Sequence, residues 1–405
     1  MPDGVWGGGV PDATDVQVVG AGVAGLSLAC ALAEDGFHVA VFDAASCPEV
    51  PQLGGEIDQW DLRVSALTPA SIAFLETLSV WQTIAAARVA PYNAMHVWDA
   101  GGSGRIDFSA AECNTECLGQ VVENRLTVQA LLQRLQHFSG VTLHWQSELT
   151  QMQWQTGGWQ LTFADGSESC AGLTVAADGA RSRVRALTAT PTRDWSYHQS
   201  AIVGTVQITE GHQNACWQSF CATGPVAILP LADPQYAALV WSLDDDHHAS
   251  ISALSDADFV SALNRALAPY APRVAAIGPR ASFPLRQSHA VDYIDEGLVL
   301  VADAAHNIHP LAGQGINLGL SDVRALSGEL IRARAGGLPI SSAVPLRRYQ
   351  RQRKTENLAM MAAMEGFKRG FASEHPAAVM ARNAGLSFVD QQAWLKQWFV
   401  RRAMG

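Results

Sequence analysis

Three groups of residues carry chemistry by their type and spacing. In the first, Gly20, Gly22 and Gly25 stand in G-x-G-x-x-G spacing. An apolar run at 15–20 leads into them, a helix-like run at 26–33 follows and stops at Gly36, and a second apolar run at 37–42 ends at Asp43. Strand, helix and strand in that order give each glycine a task. Gly20 permits a tight turn, Gly22 lets the backbone approach a pyrophosphate, and Gly25 lets helix and strand pack closely. The free N–H groups and the dipole at the helix start favour phosphate charge. Asp43 follows Gly20 by 23 residues, where a carboxylate accepts a hydrogen bond from a ribose hydroxyl. These features predict a dinucleotide site.

The second group is an apolar run at 173–177 closed by Asp178-Gly179, with Arg181, Arg183 and Arg185 after it. Arg183 suits either a phosphate or a structural salt bridge. The third group is more specific: an apolar run at 298–302, then Asp303, His306, His309, Pro310, Gly313-Gln314-Gly315 and Asn317. Asp303 can accept from a ribityl hydroxyl. A helix starting near Gly313 aims its positive end at a flavin's N1/C2 carbonyl, where reduction places negative charge. Pro310 offers a rigid surface without a donor beside the ring. His306 and His309 flank this loop and suit helix-start or backbone hydrogen bonds better than proton transfer.

Together the three groups resemble the single-Rossmann flavoprotein aromatic monooxygenases, which have a para-hydroxybenzoate-hydroxylase-like fold. More narrowly, Asp61-Leu62-Arg63, Val122-Glu123-Asn124, the run from His306 to Gly319 and the terminal Ala403-Met404-Gly405 resemble the FAD-dependent ubiquinone-biosynthesis hydroxylases. The likeness covers nearly the whole chain. It departs from the family at Ala302, where a glycine is usual before the aspartate. The methyl is expected to be tolerated with a small shift of the strand.

The resemblance implies an α/β fold: a Rossmann-type FAD-binding domain with an inserted antiparallel-sheet substrate domain and a helical C-terminus. It implies FAD as resident cofactor and NADPH or NADH as transient reductant. The reduced flavin would react with O2 to give a C4a-hydroperoxide, whose distal oxygen is attacked by the aromatic ring of a polyprenylated phenol or quinol. No metal is required. Gly20, Gly22, Gly25, Asp43, Asp178, Asp303, Gly315 and Asn317 would bind the cofactor, with Arg63 and Arg125 as further contacts along it. Pro310, Gly313 and Gln314 would frame the reacting ring. A hydroxylase of a small soluble aromatic, and a non-catalytic flavin-binding subunit of the quinone-biosynthesis complex, are the other two readings. Flavin halogenases need an active-site lysine, and none precedes Lys354.

The elements that must position these groups divide as follows. FAD-binding segments are expected at 13–75, 100–190 and 285–345, a substrate domain at 76–99 and 191–284, and a helical region at 346–405. Strand-like runs fall at 201–208, 216–221, 226–231 and 236–243, with a helix at 256–267 capped by Ser255. Trp217, Phe220, Pro230 and Trp241 are candidates to wall a ring pocket, against a plain core role. Gly101-Gly102-Ser103-Gly104 reads as a hairpin turn. Cys216 and Cys221 read as buried thiols, and Asp244 to His248 as a solvated loop.

Composition closes other classes. Of 405 residues, 48% are hydrophobic and 16% charged, enough apolar material for a large core and too little charge for a disordered chain. The net charge of −11 argues against nucleic acid. It is uneven: residues 341–405 hold 11 Lys/Arg against 4 Asp/Glu, while 1–340 hold 16 against 34. Leu358, Met361, Met364, Phe367 and Phe371 add an apolar stripe at helical spacing in that basic tail. Contact with a membrane surface is one reading and packing on the body the other. Seven cysteines and an N-terminal stretch without basic residues suggest a reducing compartment and no secretory signal. The expectation is a cytoplasmic protein, peripheral to the inner membrane, acting beside other ubiquinone-biosynthesis proteins.

Overall fold

The computed structural model describes residues 14–307, 315–372, 376–392 and 396–397. Four short apolar strands, Val16–Val19, Val39–Phe42, Leu173–Ala176 and Leu298–Leu300, form the centre of a parallel sheet, extended by Val141–His144 at one edge. Ile294–Asp295 adds an antiparallel strand at the other edge. The central strands are buried at every position because helices cover one face and the antiparallel sheet of Leu149–Gln155, Gly158–Phe163 and Glu168–Ala171 covers the other, where the buried Gln17 donates to the Trp159 carbonyl at 2.7 Å. Helix Val23–Glu34 is buried from Gly25 to Ala33 and packs against Asn124–Leu135 and Gly315–Ala335.

A second sheet has eight strands, ordered His306–Asn307, Val274–Ala290, Thr192–Ile208, Tyr236–Asp244, Gly224–Pro230, Ala215–Cys221, Ala94–Asp99 and Arg105–Ser109. All four strand runs expected between 201 and 243 lie in it, and Ser255 caps helix Asp256–Leu267 by accepting from the Asp258 amide at 3.2 Å. Two expected boundaries fall inside its elements. The hairpin 94–109 straddles 99/100, and strand Val274–Ala290 runs through 284/285.

Side-chain alternation along these strands decides which residues meet. Val226, Ile228, Leu239, Trp241 and Leu243 share a core with Phe259 and Leu263 of the helix, while Cys216, Leu229, Leu231 and Ala238 pack on the other face. Trp217 and Trp241 therefore belong to the helix-side core, where Trp241 meets Phe259 edge-on at 5.6 Å. Phe220, three residues on from Trp217 in one strand, points to the opposite face.

The chain ends in two described helices. Ala343–Ala372 packs on Gly315–Ala335, and Tyr349 donates its hydroxyl to the Leu300 carbonyl at 2.8 Å. Pro376–Gln391 lies on the hairpin at 99–105. Arg382 pairs with the buried Asp99 at 2.6 Å, Asn383 accepts from the Gly104 amide, and Asp390 accepts from the Asp107 amide at 3.0 Å. That contact explains two hairpin glycines: a Cβ on Gly102 or Gly104 would land 2.2 or 2.5 Å from the Asn383 side chain.

Asp244 to His248 is not a loop. Asp244 accepts from the His247 amide at 3.0 Å and caps helix Asp245–Ser252. None of the seven cysteines is joined in a disulfide among the described residues. Burial pushes the Cys216 thiol well up. Among the described residues no group of His, Cys, Asp and Glu could hold a metal. No single described helix is long and apolar enough to cross a membrane. The bent pair Pro69–Thr77 and Trp81–Ala87 passes by length and composition, but Ile72, Leu75, Trp81 and Ile84 bury its apolar side chains in the core.

Two stability predictions follow from backbone and burial. Ala302 adopts φ +53°, the left-handed region where a Cβ costs roughly 1–2 kcal/mol. Ala302→Gly relieves that cost and loosens the unfolded chain, so urea denaturation should show a net gain of up to about 1 kcal/mol. His289 is 3% exposed, and burial, with His306, Lys354 and Arg193 nearby, pushes its pKa down to about 4. Its neutral form is the folded one, so this stability is full above about pH 6.5 and fades as pH falls toward 4. The loss should be on the order of 3 kcal/mol. His289→Gln should flatten the stability profile in that window.

Candidate functional site

The register of the parallel sheet aligns Val19 with Ala176 and Phe42, and Ala176 with Leu300. Gly20, Asp43, Asp178 and Asp303 therefore all emerge at its carboxyl edge, where open α/β sheets bind ligands. Gly20 has φ +108°, and a Cβ there would sit 2.4 Å from the Ala177 carbonyl. A Cβ on Gly25 would sit 1.9 Å from the Gly20 carbonyl. Gly22 is the helix N-cap without a side-chain cap, and the space a Cβ would take there is open.

The carboxylates have defined partners. Asp43 accepts from the Ala21 amide at 2.6 Å and the Ala45 amide at 2.8 Å, tying the glycine turn to the second strand. Asp178 Oδ2 accepts from the Arg183 and Val184 amides at 2.7 and 3.1 Å, and so closes the turn before helix Arg183–Leu187. Its Oδ1 is buried without a partner. Arg183 donates from Nε to the Leu149 carbonyl at 3.3 Å, a structural tether. Arg185 does more. It donates to the Ala304 carbonyl at 2.9 Å and the Asp303 carbonyl at 3.4 Å, and its other nitrogen reaches the Ala180 carbonyl, so it clamps the second motif to the third.

Asp303 lies in the short turn Ala302–Ala304. Burial raises its carboxyl, while His306, Arg63 and Arg185 pull it down. His306 does not bond backbone through its ring, as helix-start logic suggests. Its Nε2 meets the Asp322 carboxylate at 2.5 Å. His309, Pro310, Gly313 and Gln314 lie outside the described residues. Gly315 is the first described residue of helix Gly315–Ala335. Asn317, two residues on, is 5% exposed. It accepts from the Thr68 amide and the Ser71 hydroxyl at 3.0 and 2.7 Å and donates to the Ala66 carbonyl at 2.8 Å. These bonds give it a structural task, fastening the helix start to the strand Val64–Leu67 and the helix Pro69–Thr77.

Arg63 and Arg125 flank a knot around Glu123, which is 2% exposed. Glu123 accepts from Arg88 Nε at 2.6 Å, Arg125 Nη2 at 2.8 Å and the Asp61 amide at 2.6 Å. Asp61 in turn accepts from the Arg63 and Arg125 amides, both at 3.0 Å. Arg88 also stacks on Trp60 at 3.9 Å. The Asp61–Arg63 and Val122–Asn124 stretches are thus two halves of one interlock. Arg125 spends charge on Glu123, whereas the exposed Arg63 side chain acts electrostatically on Asp303.

These residues fit an FAD. The bare helix start with open space at Gly22, the close approach at Gly20 and the unpartnered Asp178 Oδ1 make a cradle that asks for donors and for a phosphate. Arg88, Asp322 and Arg353, which pairs with Asp322 at 2.7 Å, support the site and had no local sequence signal, while Arg185 stood in the arginine-rich turn with no task assigned to it.

The FAD binding domain family matches residues 13–361. A 3-demethoxyubiquinol 3-hydroxylase of Escherichia coli (strain K12) is 37% identical over 97% of this chain and 98% of its own. A ubiquinone hydroxylase, UbiL, of Rhodospirillum rubrum is 35% identical over 98% and 91%. The crystal structure of p-nitrophenol 4-monooxygenase PnpA from Pseudomonas putida DLL-E4 shares the fold, with a TM-score of 0.77 at 18% identity over 97% of this chain and 98% of that one. A carboxyl-edge cradle built for FAD and full-length likeness to these hydroxylases converge: the chain belongs to the FAD binding domain family, among its ubiquinone-biosynthesis hydroxylases.

Proposed function

We propose that this protein hydroxylates the aromatic ring of a polyprenylated phenol or quinol in ubiquinone biosynthesis, using FAD, O2 and NADPH or NADH. When bound and reduced by NAD(P)H, FAD would supply the activation of O2 from which one oxygen atom goes to the ring and the other leaves as water. Gly20 and Gly22 would receive its pyrophosphate, with Gly25 keeping the helix close to that turn, Asp43 would hold its ribose, and Asp303 its ribityl chain. The observation that carries the proposal is the strand His306–Asn307, which pairs with Ser288 and His289 at the edge of the eight-strand sheet. The described residues that lead into the third motif are thereby hydrogen-bonded to the sheet that would hold the substrate. On that sheet Ala201 alternates with Ile202 of the helix-side core, so Ala201 and its registered partner Phe283 face away from the helix. Phe283 is 40% exposed, an apolar surface available to a ring or a prenyl chain.

A lipophilic substrate also requires access from a bilayer. The described part of the C-terminal region supports such contact on one face only. Met380, Ala384 and Phe388 are exposed at i, i+4 and i+8, while Arg382, Asn383 and Asp390 of the same helix bind the hairpin. The stripe expected earlier in the tail divides: Met361 is buried beside Leu318, Leu358 is exposed, and the side chains of Met364, Phe367 and Phe371 lie outside the described residues.

Two experiments test the reading. A strain lacking this gene should accumulate a prenylated intermediate missing one ring oxygen, by mass spectrometry of its quinone pool, and the purified FAD protein should oxidise NAD(P)H faster with that intermediate than with small phenols. Faster oxidation with a small phenol makes the protein a hydroxylase of soluble aromatics, and flavin binding without turnover makes it a non-catalytic subunit. In the second, M380D/F388D should lose sedimentation with anionic phospholipid vesicles while retaining turnover of a short-chain substrate in solution. Unchanged sedimentation would remove the membrane contact from the proposal.

A further inference from the structure

Helix Gly315–Ala335 carries Asp322 into the core, where none of it is exposed. Its Oδ1 accepts from Arg353 Nε at 2.7 Å. Its Oδ2 accepts from His306 Nε2 at 2.5 Å and from the Ala302 amide at 3.0 Å. Arg353 is itself 3% exposed and comes from the C-terminal helix Ala343–Ala372. It also donates to Asn357 Oδ1 at 3.0 Å and pairs with Glu356. Asn357 bonds the Tyr293 hydroxyl at 3.3 Å, and that hydroxyl meets His289 Nε2 at 3.0 Å. Burial would raise the Asp322 carboxyl, yet His306 and then Arg353 hold it down to about 2, so a negative charge sits behind the turn 302–306.

What hangs from that charge is the third motif. Ala302, in its left-handed conformation, is held at one end of the turn and His306 at the other, with Asp303 between. Ala302 Cα and Cβ also lie against Gly319, so the turn cannot slide toward the helix: a Cβ on Gly319 would come within 2.9 Å of the Ala302 Cβ. A left-handed alanine does not hold itself; its surroundings must over-determine it. Asp322 supplies the bond that does so, and Arg353 supplies the countercharge that lets a carboxylate remain there ionised.

We propose that Arg353, acting through Asp322, is the positioning residue for the cofactor-facing turn 302–306. It sets where Asp303 meets the FAD. The C-terminal helix is thus part of the cofactor site without touching the cofactor, and FAD affinity is tied to how that helix docks. This rests on the binding of FAD by the family and not on the choice of aromatic substrate.

A purely stabilising role would predict something different, so the test separates affinity from stability. The holoprotein is diluted and released FAD is read as recovered flavin fluorescence, beside melting temperature and the visible circular dichroism of bound flavin. Arg353→Lys keeps the charge but loses the forked donors to Asp322 and Asn357. It should weaken FAD retention about tenfold, the lower end of what loss of an outer-shell partner costs at metal sites, and should alter the visible flavin signal. Arg353→Met should weaken it further. Phe259→Ala, in the helix-side core of the other sheet, is the control: it should lower the melting temperature yet leave FAD retention and the flavin signal unchanged. The proposal is overturned if Arg353→Lys retains FAD as the parent does, or if the Arg353 and Phe259 variants lose FAD in the same proportion to their loss of melting temperature. If Arg353→Met does not fold, the lysine variant and the control decide alone.

Discussion

The Asp322 carboxylate has no access to water, and a buried charge persists only where opposite charge and donors surround it. Its partners come from three other segments: the backbone just past strand Leu298–Leu300, the ring of His306, and Arg353 from the C-terminal helix. Each segment has its direction set by that requirement. The strand must end where its next amide reaches the carboxylate, the chain must turn within four residues to return a histidine, and the last helix must lie within reach of an arginine fork. Replacing such an ion pair by apolar residues is often neutral for stability. Its value here is geometric, because it defines the turn that carries Asp303.

The same economy appears twice more around the cofactor edge. Glu123 is buried and gathers Arg88, Arg125 and the Asp61 amide, so three segments distant in the chain are fixed by one carboxylate. Arg185 gathers three carbonyls from two motifs. Close backbone approach does the remaining work, since Gly20 and Gly25 leave no room for a side chain. The cradle is therefore made largely of backbone, held in place by charged side chains such as Glu123 and Arg185.

The two sheets are joined by direct hydrogen bonds. His306–Asn307 is at once the start of the flavin loop and the edge strand beside Val274–Ala290. The C-terminal helices add a second link, with Arg353 on the parallel-sheet side and Arg382 paired with Asp99 on the hairpin of the other sheet. Along Pro376–Gln391 the docked residues and the exposed Met380 and Phe388 occupy different faces.

By itself the sequence determined the local chemistry. The glycine spacing, the buried strand runs, the terminal acids and the hairpin turns are each set by a few consecutive residues, whose φ, ψ and side-chain period leave one reading. The tertiary structure decided the tasks of the polar residues. Asp178 holds its own turn, Asn317 fastens a helix to a neighbouring strand, His306 faces a carboxylate and not a backbone, and Asp244 caps a helix in place of joining a loop. Trp217 and Trp241 fell to the helix-side core because alternation along a strand sorts faces only once it is known what covers each one. Asp322 and Arg353, 31 residues apart, carry no periodic or motif signal. A buried polar group takes whatever partner the fold brings within 3 Å, and that partner is chosen by packing between distant segments, which no local pattern encodes.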